Sequence, residues 1–255
     1  MNPWLIAAPA IGTGLVGLTA YGAVHPRSQW FGPTLHHTHS ARRLALTFDD
    51  GPNPAITPKL LELLARYQAK ATFFLIGKYV RESPSLVQEI ATCGHLIGNH
   101  TDSHPNLFFC GPAETRVELL RCSDFLAEVL LTEPRWFRPP FGIRSPWLSE
   151  IVHAQRMQMV MWSLLPGDWR ARSPGWLVSR MHSITDHARQ SLAAMGQDQP
   201  ARPGDILCLH DGDYARPNAD RGCTVAALKH CLPLWRDAGL EFVTIGQDSG
   251  KVVEA

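Results

Sequence analysis

From Arg42 onward, short apolar runs alternate with amphipathic stretches of helical period. The apolar runs are Leu44–Phe48, Ala71–Ile76, His95–Asn99, Trp136–Arg138, Met157–Ser163, Asp205–His210 and Leu240–Ile245, and each reads as a strand. Between them, Thr57-Pro58, Ser83-Pro84, Ser145-Pro146 and Ser173-Pro174 carry the signature of a helix start, a capping hydroxyl followed by proline in the first turn. Glu114–Leu131 and Thr224–Asp237 read as further helices, and Gly94 stops the helix begun at Ser83-Pro84. Strands alternating with helices predict an α/β fold with a parallel sheet and right-handed crossovers. Seven strands suit a distorted, incomplete (β/α)7 barrel; an open doubly wound sheet is the alternative. Both place ligands beyond the C-terminal ends of the strands.

Polar clusters stand at those ends. The first strand runs into Thr47-Phe48-Asp49-Asp50-Gly51-Pro52 and the third into His100-Thr101-Asp102-Ser103-His104-Pro105. The fourth runs into Arg138-Pro139-Pro140-Phe141-Gly142, the fifth is followed by Gly167-Asp168-Trp169, and the sixth ends in Leu209-His210-Asp211. Any one cluster could be a turn. Five of them on one rim point to a site. Adjacent carboxylates at a strand end face different ways, so Asp49 and Asp50 can divide two roles, one binding a metal and one acting as a base. His100 and His104, with one carboxylate, make a three-donor set that leaves positions open for water and substrate; zinc, iron, cobalt or nickel would fit.

Composition narrows the field. The balance of 24 basic against 23 acidic side chains gives +1, which argues against a nucleic-acid partner. Six cysteines form no C-x-x-C pair, excluding zinc-ribbon and thioredoxin readings, and Cys93 and Cys208 read as small core residues. Residues Met1 to Val24 carry no charge and no basic residue precedes Arg27, so the segment reads as a membrane helix, an anchor or uncleaved signal, flanked by Trp4 and Trp30. Residues 25–40 read as a solvated linker despite the His36, His37, His39 tract, residues 41–248 as the folded domain, and 249–255 as a tail. Arg27, Arg42 and Arg43 follow the apolar segment, a bias that would turn the domain inward.

Taken together, these residues resemble the polysaccharide deacetylases with the NodB-homology domain, carbohydrate esterase family four, over roughly Ala41 to Ile245. The motifs TFDDGP (Thr47–Pro52), HTxSH (His100–His104), RPPFG (Arg138–Gly142), DW (Asp168-Trp169) and LHD (Leu209–Asp211) occur in family order. Tyrosine is common where Phe141 stands; the role there uses a backbone N–H. The resemblance implies removal of N-acetyl, sometimes O-acetyl, groups from a cell-envelope polysaccharide or oligosaccharide. Asp50, His100 and His104 would hold one divalent metal, usually zinc, with Co2+, Ni2+ or Fe2+ as alternatives. Asp49 would be the general base, oriented by Arg138. His210 would protonate the leaving amine, with Asp168 as its partner. Phe141 would offer its N–H to the oxyanion, and Trp169 and Leu209 would wall a methyl-sized pocket. The partners implied are an acetylated glycan and, through the N-terminal segment, the cell membrane, with the catalytic domain on the envelope side. A lipid-linked amino sugar or small amide, deacetylated or deformylated by the same chemistry, is the alternative; a glycan-binding protein with a decayed site is a third reading, opposed by the complete set of residues. His153, His182, His187 and His230 read as surface residues, Asp102 as solvated, and Asp211 and Asp213 as turn residues. Nothing in the sequence sets an oligomeric state.

Overall fold

The structure is a computed structural model that describes residues 17–193 and 203–248. A helix, α1, occupies 17–24. The chain continues through β1 (His37–Thr38), β2 (Arg43–Gly51), α2 (Thr57–Arg66), β3 (Ala71–Leu75), α3 (Gly77–Glu82), α4 (Pro84–Thr92), β4 (Leu96–Asn99), α5 (Pro112–Leu130), β5 (Trp136–Phe137), α6 (Leu148–Ala154) and β6 (Gln158–Met159). Then come α7 (Pro174–Arg180), α8 (His182–Ala193), β7 (Gly204–His210), α9 (Gly222–Asp237), β8 (Glu241–Phe242) and α10 (Ile245–Asp248).

The sheet runs β1-β7-β2-β3-β4-β5-β6, with β8 on the start of β2; every pairing is parallel except β1 with β7. Neighbours in sequence are neighbours in space from β2 to β6, as in a barrel and unlike a doubly wound sheet. The ends of the curl approach each other: beyond β6, Ser163 N–H donates to Ile206 O at 3.1 Å and Cys208 N–H to Leu164 O at 3.0 Å. All seven expected strands are present. Those at 158 and 241 are shorter than their apolar runs, because past Met159 the chain donates its N–H groups to Leu35 O and Ile206 O instead, and past Phe242 it turns into α10.

Among the described residues, strand alternation separates two of the three core clusters, the third lying around Leu119, Phe137 and Leu148. Leu44, Leu46, Phe48, Phe73, Leu75, Leu207 and Leu209 pack outward against the helices. Ala45, Phe74, Ile206 and Cys208 point inward, against Trp136, Met161 and Trp162. Inward-facing Thr47, Asp49 and His210 continue that inner layer to the C-terminal rim.

Residues 25–40, expected as a linker, pack on the barrel. Leu35 pairs beside Val160, and His37 and Thr38 pair with Asp205 and Gly204, so the segment covers backbone edges of β6 and β7. Fully buried Arg144 donates to Ser28 O at 2.7 Å and His25 O at 2.6 Å, and its backbone N–H to Ala23 O at 3.0 Å. Among the described residues no helix is long and apolar enough to cross a membrane. Most of the helix expected over 1–24, and the tail 249–255, lie outside them. A chain begun at Ala41 would lose β1, the cover over the β6 edge and buried Phe31. Its thermal unfolding should show a loss on the order of 3 kcal/mol or more relative to the full chain; an unchanged midpoint would make residues 25–40 dispensable.

Candidate active site

β2 delivers the two aspartates. Asp49 is the last inward-facing residue in regular register, paired with His210 across β7. Its Oδ1 accepts from Arg138 Nη1 at 2.7 Å. Arg138 is fully buried and also donates to Thr47 Oγ1, Val160 O and Met161 O, with its guanidinium 4.3 Å from the Phe74 ring centre. The planar fork thus fixes one carboxylate oxygen and leaves Oδ2 facing the cavity.

The register breaks after Asp49, and Asp50 takes a left-handed backbone, φ 71°. That turn rests on Gly212, where a Cβ would lie 1.9 Å from Asp50 O. Thr101 (φ 68°), His104 (φ 64°) and Phe141 (φ 58°) are left-handed as well, each a strained conformation for a residue with a side chain. The loop 100–104 is held in place from several sides. Asn99 Oδ1 accepts from Thr101 N–H, Thr101 Oγ1 from His104 N–H, and Glu118 Oε2 from the N–H groups of Asp102 and Ser103. Asp102, expected to be solvated, is buried and accepts from Arg81 at 2.5 Å, tying the loop to α3.

Asp50 Oδ1 stands 3.5 Å from His100 Nε2 and 3.2 Å from His104 Nε2. His100 Nδ1 lies 2.7 Å from Arg138 O. A carbonyl only accepts, so Nδ1 carries the hydrogen and Nε2 turns its lone pair toward Asp50. Asp50 Oδ1 and His104 Nδ1 are buried with no hydrogen-bond partner among the described residues. Burial works to raise the Asp50 carboxyl, but His100 and His104 outweigh it and hold it well below the usual carboxylate range; burial pushes the His104 ring down. An anionic oxygen and two imidazole nitrogens converging on one buried point, one of them an orphan acceptor, fit a divalent cation.

His210 ends β7. Its Nδ1 lies 2.8 Å from Asp168 Oδ1, while Asp168 Oδ2 accepts from the His210 backbone N–H at 2.8 Å and Thr224 Oγ1 at 3.0 Å. Burial works against a charged ring, but Asp168 prevails and raises His210 to about 9.

These groups share one cavity of about 370 Å3, lined by Asp49, Asp50, His100, His104, Phe141, Trp169 and His210. Arg138 and Asp168 stand buried behind it. Trp169 lies edge-on to His210, ring centres 4.9 Å apart. Leu209, expected as a pocket wall, is instead in the outer core, because His210 and Cys208 take the inward positions on either side of it. Asp211 is not a plain turn residue. It is fully buried, bonded to the Thr57 hydroxyl that the sequence assigns to helix capping, and burial pushes it up to about 7.

Tyr214 is a wall the motifs do not disclose. It stacks on His104, centres 4.6 Å apart and 13° from parallel. Its loop is pinned by Lys78 and Tyr79, which donate to the carbonyls of Tyr214 and Asp213. Cys208 is the other omission: its Sγ lies 3.4 Å from Asp49 Oδ2. Its place two residues before His210 on one strand was the available signal.

A carboxylate and a histidine ring, set within 4.8 Å of each other beside a triad that fits a cation, are the groups a hydrolytic centre needs. The profile of the polysaccharide deacetylase family matches residues 36–160. The chain is 36% identical over 206 residues to a peptidoglycan-N-acetylglucosamine deacetylase of Bacillus cereus, spanning 80% of this chain and 86% of that one. It is 35% identical to a chitooligosaccharide deacetylase of Bradyrhizobium sp., over 81% and 90% of the two chains. The solved Bc1960 peptidoglycan N-acetylglucosamine deacetylase superposes with a TM-score of 0.70 at 28% identity, covering 84% of this chain and 91% of that one. The chain therefore belongs to the polysaccharide deacetylases, carbohydrate esterase family four. It is a hydrolase acting on acetylated polysaccharides.

Proposed function

We propose that the enzyme removes N-acetyl groups from amino-sugar polymers of the cell envelope, with one divalent cation, zinc, held by Asp50, His100 and His104. When bound, the cation supplies Lewis acidity toward the acetyl carbonyl and lowers the pKa of water. Asp49, its Oδ1 held by Arg138, presents Oδ2 to take a proton from the attacking water. Phe141, at the rim in its left-handed turn, borders the acetyl group. Trp169 and Phe141 wall the cavity, and Tyr214 extends that wall beside His104. His210 keeps a proton on its cavity-facing Nε2 and delivers it to the departing nitrogen.

The observation that carries this reading is the Asp168–His210 pair. A ring raised to about 9 is protonated at neutral pH, and an amine, a far poorer leaving group than an alcohol, needs that proton to depart. Names of relatives support the polymer class. The reading carries an envelope-side location with residues 1–24 as tether, which cell fractionation tests. Zinc-loaded full-length enzyme should release acetate and expose free amines on N-acetylated chitooligosaccharides or peptidoglycan. Absence of release from every N-acetylated glycan, with the metal bound, would refute it.

A further inference from the structure

The proposed mechanism leaves a thiol in the cavity wall unused. Cys208 faces the site from β7, buried, its Sγ 3.4 Å from Asp49 Oδ2 and 3.5 Å from Arg138 Nη1. We propose that Asp49, Cys208 and His210 form a second, thiolate-containing metal site, whose filling by a soft divalent cation such as Cd2+ or excess Zn2+ switches the enzyme off. The inhibitory part rests on the roles proposed above for Asp49 and His210; the site itself does not.

Three observations support it. First, one donor atom from each residue lies within 4.8 Å of the other two, and the set shares no residue with Asp50, His100 and His104. The 3.4 Å between Asp49 Oδ2 and Cys208 Sγ matches the edge of about 3.5 Å expected of a zinc tetrahedron with bonds of ~2.0 Å to oxygen and ~2.3 Å to sulfur. Second, the outer atoms are already tied. His210 Nδ1 engages Asp168, as metal-bound histidines commonly engage a carboxylate, and Asp49 Oδ1 engages Arg138. That leaves Nε2 and Oδ2 turned to the same space. Third, the charges match: with the thiol deprotonated, Asp49 and Cys208 carry two negative charges, which neutralise a divalent cation.

Burial, with Asp49 alongside, pushes the Cys208 thiol well above its usual range, so without such a cation it stays protonated and inert. Binding breaks the Sγ–H bond and the Nε2–H bond of the imidazolium. Both protons pass to water, sulfur and nitrogen bond the cation, and no electron is transferred. Thiolate selects Cd2+ and Zn2+ over Mg2+ and Ca2+. Occupancy then takes the base and the acid out of service together.

The test uses full-length enzyme loaded with one equivalent of zinc and titrated with Cd2+, reading thiolate-to-cadmium charge-transfer absorption and acetate release side by side. The wild type should show a one-equivalent absorption step with activity falling at least about tenfold in parallel. Cys208→Ala, and volume-matched Cys208→Val, should show no such step and should keep their own zinc-only rates at that cadmium concentration. The same step in both variants, or no step in the wild type, overturns the site. A step without inhibition, in an enzyme that releases acetate, overturns its inhibitory role. A step in an enzyme that deacetylates nothing upholds the site and faults the assigned function.

Discussion

His104→Ala should strip the enzyme of its divalent cation and of its activity together. His104 Nε2 is 3.2 Å from Asp50 Oδ1, and the ring sits buried between Tyr214 and Phe141. Without it, Asp50 and His100 alone remain, too few donors for tight retention. Elemental analysis after dialysis should read less than about a tenth of the wild-type metal, since weakening even an indirect contact costs 10–100-fold. Asp49→Asn should behave differently. Its oxygen still accepts from Arg138, so metal content should hold while turnover falls by roughly 10²–10⁴, the usual contribution of a positioned base. Equal metal loss in the two variants would mean that the adjacent aspartates exchange roles.

Asp168→Asn should move the alkaline limb of the pH–rate profile to lower pH. With the charge removed, burial acts on His210 against only the weaker pull of Asp50 and Asp49, and its value falls toward the ordinary 6.5. A complete fall from about 9 to 6.5 cuts the protonated share at pH 8 by about 30-fold, the upper bound on the loss of rate. The acidic limb, set by other groups, should stay in place. The same pair links stability to pH. A ring whose folded value is raised stabilises the fold fully below its unfolded value near 6.5, and that contribution is lost as pH rises through about 9. Melting curves of wild type and Asp168→Asn should therefore converge above pH 9 and diverge below 6.5. An alkaline limb unmoved in a folded Asp168→Asn protein would remove His210 as the acid.

Much of this was legible in the chain because each strand end announced itself locally. An apolar run followed by Asp-Asp-Gly-Pro, or by two histidines four apart, marks both an element and its chemistry within a dozen residues. What escaped depends on distant partners. Asp102 and Asp211 look like solvated turn residues until Arg81, 21 positions away, and Thr57, 154 positions away, fold against them. The segment 25–40 reads as a linker because its value lies in covering backbone edges that exist only once the sheet has curled. The motif alone points Leu209 at the cavity, whereas strand alternation with Cys208 and His210 places it on the opposite face.

That last point reaches beyond one leucine. β7 lies against β2 with Leu207 and Leu209 on one face and Cys208 and His210 on the other, Asp49 opposite His210. A slip of a single residue would thrust leucines into the cavity and a histidine into the oily layer beneath the helices. Strand length here is thus a mechanical constraint: replacing one side chain on β7 acts at one place, but an insertion or deletion inverts core and catalytic face at once.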